Sequence, residues 1–104
     1  MHYVILATHT PDTCPTSNAK IRDLLLQGAK EMPGLSQRLG VKMVAGPFVN
    51  REHIVVTVVE SDRYEPIDQF LTESHLAQWN SIHVLPSLTM EDGLKEISES
   101  KSIF

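Results

Sequence analysis

A chain of 104 residues with 41% hydrophobic and 21% charged content is long enough for one domain core, too short for two, and too apolar for disorder. Its formal net charge of −4 excludes nucleic acid as a leading partner, because phosphate binding draws its affinity from clustered Lys and Arg. A single cysteine cannot close an internal disulfide, and the first apolar run falls far short of the ~20 residues of a membrane span, so the expected compartment is cytoplasmic.

Residues 3–9 are β-branched and aliphatic and read as a buried first strand, with no basic leader before them that would mark a signal or anchor. The turn-rich run Thr10-Pro11-Asp12-Thr13-Cys14-Pro15-Thr16-Ser17 follows as a loop. From Asn18, the residues Ile21, Leu24, Leu25, Gly28 and Met32 recur at helical spacing, with Ser17 or Asn18 as the cap. Pro33-Gly34 predicts an interruption, after which residues 35–39 make one short turn ended by Gly40.

Val41 to Phe48 reads as a second strand, suited to a sheet edge by Gly46 and Pro47. A turn at residues 49–51 leads to a third strand, His53 to Val59. Asp62 and Glu65 have capping-box spacing, Pro66 fits a first helical turn, and Ile67, Phe70 and Leu71 form the buried stripe of a second helix. Ser74 to Trp79 predicts a continued or broken helical turn, and Ser81 to Pro86 a fourth strand. Thr89 opens a C-terminal helix with Met90, Leu94 and Ile97 on one side. Its acidic residues Glu91, Asp92, Glu96 and Glu99 read as a solvated face.

The order β-α-β-β-α-β plus a terminal helix predicts one α+β domain over residues 1–104, a ferredoxin-like sandwich with spatial strand order 4-1-3-2. In this pattern, with the segments His9-Thr-Pro-Asp-Thr-Cys14-Pro, His83-Val-Leu-Pro86 and Thr89-Met-Glu-Asp92, the chain resembles the dimeric α/β-barrel group, and in particular its small uncharacterised members. The resemblance implies two ferredoxin-like sheets packed into a joint barrel. The group also holds cofactor-independent monooxygenases, muconolactone isomerase-like proteins and haem-handling proteins, so the fold does not choose the chemistry.

The topology gathers four of the five histidines (His9, His53, His75, His83), Cys14 and Trp79 at one end of the sheet. Strand alternation separates two sets of residues. Val4, Leu6, Ile54, Val56, Val58, Ile82 and Val84 are wholly apolar and are expected beneath the helices. Tyr3, Ile5, Ala7, His9, His53, Val55, Thr57, Val59, His83 and Leu85 mix polar groups into an apolar background, as a ligand pocket or dimer interior would.

Three chemistries suit the histidine end. A transition metal such as zinc, copper or nickel could take His9, His83 and Cys14, with His53 closing the shell or the fourth position open. Alternatively His9 or His83 acts as catalytic acid–base on a small organic ligand held by His53, Thr57, His75 and Trp79, with Phe48 beside it. In the third, Cys14 is a nucleophile or redox group whose pKa falls if backbone amides point at its sulfur. Against all three stands a plain structural role: hydrogen-bonded or solvated histidines, a Trp79 that caps the core and a small buried cysteine.

The expectation is therefore a homodimeric α/β barrel with a His-lined pocket for a small molecule or metal ion, and a possible oxygenase or isomerase. A transition-metal-binding protein and a non-catalytic interaction domain are the alternatives. The residues single out no organic cofactor. Dimerisation follows from the apolar second face, to which Ile103-Phe104 could add.

Overall fold

The structure, a computed structural model, describes residues 1–100. Its elements are β1 (His2–Thr8), a 3-10 turn (Pro11–Thr13), α1 (Ala19–Leu39), β2 (Lys42–Phe48), β3 (Ile54–Glu60), α2 (Glu65–Glu73), α3 (Leu76–Trp79), β4 (Ser81–Ser87) and α4 (Met90–Glu99). The four strands form one antiparallel sheet in the order β2-β3-β1-β4, the order expected from the chain. This α+β architecture is compatible with the ferredoxin-like arrangement. The terminal Ile103-Phe104 lies outside the described residues.

Helix α1 starts where expected, with the Asn18 side chain accepting from the Ile21 N–H at 3.1 Å, and ends at Gly40 in the left-handed conformation (φ 68°). It does not break at Pro33-Gly34. Pro33 and Ala29 both lie on the exposed side of the helix, where a carbonyl without its N–H partner costs little, while buried Leu35 and Ser36 hold the last turns against the core. Gly28 marks the close approach of α1 to the end of α2: a methyl there would stand 3.1 Å from the Ser74 carbonyl oxygen.

At α2 the expected capping box does not form. Tyr64 occupies the cap without a side-chain hydrogen bond, and the chain enters the helix through Pro66 in the first turn. His75, in the left-handed conformation (φ 68°), separates α2 from α3, which resolves the ambiguity over residues 74–79 in favour of a break. Helix α4 is capped by Thr89, whose hydroxyl accepts from the Asp92 N–H at 3.1 Å, and its apolar stripe Met90, Leu94 and Ile97 is exposed.

The largest correction concerns the faces of the sheet. Tyr3, Ile5, Val59, Val41, Ile67, Phe70, Leu71, Leu76 and Trp79 form the core, with Ala7, Val55 and Thr57 also buried. The face beneath the helices is thus the mixed set, and Val4, Leu6, Val56 and Val58 lie half-buried on the open face. Register splits the fourth strand differently from the expected pattern. Ile82 and Val84 stand opposite Ala7 and Ile5 and pack against the core, whereas His83 and Leu85 stand opposite Leu6 and Val4 on the open face. The inversion is physical: both sets are apolar, so alternation separates them without saying which one the helices cover.

Candidate functional site

The loop after β1 is a hydrogen-bonded knot rather than a flexible connection. The 3-10 turn at Pro11–Thr13 passes directly into Cys14, whose carbonyl accepts from the N–H groups of Ser17 and Asn18, both at 2.9 Å. Arg22, one turn into α1, donates to the carbonyls of Pro15 (2.9 Å) and Thr16 (3.2 Å). Asn18 caps α1 and also donates through Nδ2 to the Asp12 carbonyl at 3.2 Å. The loop is therefore fastened to the helix start, which fixes Cys14 at the end of the sheet with only 8% of its surface exposed.

His9 and His53 meet there from neighbouring strands. Each lies just outside its strand, and the His9 N–H donates to the His53 carbonyl at 3.1 Å, extending the β1–β3 pairing by one step. His53 does not begin β3, as alternation had assumed, but adopts the left-handed conformation (φ 60°), which costs a non-glycine residue about 1–2 kcal/mol. Asn50 holds it there. Its side-chain oxygen accepts from the N–H groups of Glu52 (3.1 Å) and Ile54 (3.2 Å), its amide donates to the Ile54 carbonyl (2.7 Å), and its own carbonyl takes the His53 N–H (3.3 Å).

The His9 ring is oriented by a second asparagine. Asn80 Nδ2 donates to the Leu76 carbonyl at 3.0 Å, which sets the amide so that Oδ1 faces His9 Nδ1, also at 3.0 Å. Oδ1 can only accept, so His9 carries its proton on Nδ1 and leaves the Nε2 lone pair free. The ring stands edge-on to His53, with centroids 5.2 Å apart, and packs on Trp79 at 5.1 Å. Cys14 Sγ lies 3.0 Å from the Thr16 hydroxyl. That hydrogen bond, helped by the Thr16 backbone N–H and opposed by burial, holds the thiol below its ordinary pKa.

These groups border a cavity of about 310 Å³ between the sheet end, α1 and α3. Leu25, Met32, Pro47, Val55, Leu76 and Trp79 supply apolar walls, and His9, Cys14 and His53 converge at the polar end. Their nitrogen and sulfur ligand atoms all lie within 4.8 Å of one another. The depression bordered by Lys30, Glu31, Arg38 and Glu73 is more open and brings together no histidine or cysteine.

Of the residues singled out from the sequence, His9, Cys14, His53 and Trp79 come together. His83 does not: it is exposed on the open face opposite Leu6, because its register places it one step out of phase with the buried Ile82 and Val84. Phe48, 59% exposed and opposite Val56, likewise faces away from Trp79. Thr57 lies deeper, beside a gap of about 10 Å³ that shares Met32, Pro47, Val55 and Leu76 with the cavity. His75 serves the backbone break before α3, and its Nδ1 is buried with no hydrogen-bond partner.

Asn50 and Asn80 orient His53 and His9 and are not among the residues singled out from the sequence. An asparagine in a turn before a strand is a signal for a side chain that closes the turn, and Asn50 carried it. Asn80 had none, since its role depends on a contact 71 residues away in the chain.

The chain matches no protein-family model, and it has no significant match among curated proteins or among solved structures.

Proposed function

We propose that this protein binds a small, largely apolar organic molecule whose polar group faces His9, Cys14 and His53. The observation that carries this reading is the cavity itself: apolar walls with a few convergent polar groups at one end are the general form of a small-molecule site. Trp79 supplies a flat apolar surface, and His9 Nε2, with its partner nitrogen tied to Asn80, is the acceptor positioned to take a hydrogen bond or a proton from the ligand. Proton transfer or oxygenation of such a ligand is the turnover this arrangement suits, with His9 as the base. His83 is too far round the sheet to share that role.

Dimerisation belongs to the same proposal, now through the opposite set of residues. Val4, Leu6, Val56, Val58, Leu85 and Phe48 make the open face apolar, and a second copy packed on it completes a barrel without disturbing the cavity on the helix side.

The test uses metal-free protein and 8-anilinonaphthalene-1-sulfonate, an apolar anion of suitable size, with Trp79 as the reporter. One probe per chain should bind and quench Trp79, and Leu25→Arg, which fills the cavity from α1, should weaken binding at least tenfold. Unchanged binding in folded Leu25→Arg protein would place the probe on the open face and sink the proposal.

A further inference from the structure

The polar end of the cavity has a composition that a hydrogen-bonding role does not require: two imidazoles and a thiol, with no carboxylate among them. We propose that His9, Cys14 and His53 bind a single zinc-class divalent transition ion, with its fourth coordination position open to the cavity. The inference goes beyond organic-ligand binding and changes the part played by His9, whose Nε2 becomes a ligand rather than a proton acceptor.

Four observations support it. The donor set is the borderline-to-soft combination that zinc, cobalt and copper prefer, and that magnesium and calcium do not. The donors are close: the ligand atoms lie within 4.8 Å of one another, whereas nitrogen and sulfur ligands of one tetrahedral ion stand roughly 3.3–3.5 Å apart for metal–nitrogen and metal–sulfur bonds near 2.0 and 2.3 Å. Closing that difference takes at most about 1.5 Å between any two donors, within the reach of side-chain rotation.

The third is the support behind His9. A metal-binding histidine commonly gives its other ring N–H to an oxygen acceptor that fixes its tautomer and direction, and Asn80 Oδ1, on an amide whose Nδ2 donates to the Leu76 carbonyl, is placed to accept it at 3.0 Å. The fourth is the backbone of His53. A left-handed histidine pinned by Asn50 is a strained arrangement, and it brings the ring to within 5.2 Å of His9.

The three donors account for three positions of a tetrahedral shell. All three border the same apolar space, so the remaining position faces it and would take water or the anionic group of a bound molecule. The cation would in turn favour ligands carrying a carboxylate, thiolate or phenolate. This assignment replaces His83 by His53, since His83 lies on the other face of the sheet.

Cobalt(II) titration of reduced, tag-free protein tests the site. One cobalt per chain should bind with tetrahedral ligand-field bands and a thiolate-to-cobalt charge-transfer band, and excess zinc should displace it. Cys14→Ser should abolish the charge-transfer band. His9→Ala and His53→Ala should each weaken binding at least tenfold, Asn80→Ala by about 10- to 100-fold as an outer-shell partner, and His83→Ala should leave it unchanged. Folded wild-type protein without a charge-transfer band overturns the proposal, as does a band that survives both His9→Ala and His53→Ala with full affinity. The fluorescent-probe experiment on metal-free protein reads the cavity separately, so an empty metal site and an absent organic site give different results.

Discussion

The two faces of the sheet are built from nearly the same residue types and meet opposite fates. Tyr3, Ile5, Val55 and Val59 are sealed under α1, α2 and α3, while Val4, Leu6, Val56 and Val58, one residue along, remain half-exposed. Hydrophobicity alone does not choose between them. What separates the faces is what lies over the covered one: at the sheet end the loop bearing Cys14 and the helix bearing Trp79 close over a cavity, while Ala7 and Thr57 border only a gap of about 10 Å³ deeper in the core.

The sharpest test of this contrast is a pair of phenylalanines. Phe70→Ala, at a residue 1% exposed in the covered core, should cost about 3–5 kcal/mol, whereas Phe48→Ala on the open face should cost less than about 0.5 kcal/mol in chains dilute enough to be monomeric and more at concentrations where the proposed dimer forms. Denaturant unfolding of the two variants reads both. Comparable losses would mean that the open face is buried in solution, which is itself the signature of a dimer made through it.

Leu6→Lys addresses that dimer directly. A charge in the middle of the open face should shift the proposed dimer to monomer in light scattering while circular dichroism stays native. A wild-type monomer at micromolar concentration would remove the barrel from the proposal and leave the cavity untouched.

His53 separates site from scaffold. Because φ is 60°, His53→Gly should be about 1 kcal/mol more stable than His53→Ala, and both should lose cobalt binding equally. Equal stabilities would show that the Asn50 turn relaxes once the imidazole is gone.

The smallest effects are electrostatic. Arg38 Nη2 donates to Glu73 Oε1 at 2.7 Å across the ends of α1 and α2, and that hydrogen bond holds the Glu73 carboxyl below its ordinary pKa. A carboxylate depressed in the folded state adds stability above its unfolded pKa and loses it as pH falls through the folded one. The difference in Tm between wild type and Glu73→Gln should therefore be small at neutral pH and close on acidification. Cys14 obeys the same sign: alkylation of metal-free protein should keep its thiolate rate to a lower pH than a free cysteine does, and Thr16→Val should move that midpoint up.

Much of the architecture was legible in the residues. Periodicity placed all four strands and the main helices, and the requirement that strands running in the same direction be joined by crossovers led to the observed strand order. The misread details share one cause, which is that local rules describe a segment without its surroundings. Pro33 breaks an isolated helix, but here its outward position and the anchoring of Leu35 and Ser36 carry α1 through. Asp62 and Glu65 have the spacing of a cap, yet the chain enters α2 at Tyr64.

The site divides in the same way. Sequence alone determined that His9, Cys14, His53 and Trp79 belong to one end of the sheet, because strand polarity and chain order decide which ends lie together. Only the tertiary structure decided which side of the sheet each residue occupies, and so excluded His83 from the cavity and set Asn80 behind His9. A sheet end is a matter of connectivity, which the order of elements carries. A face depends on which of two apolar sets the helices cover, and that is settled by packing over the whole molecule.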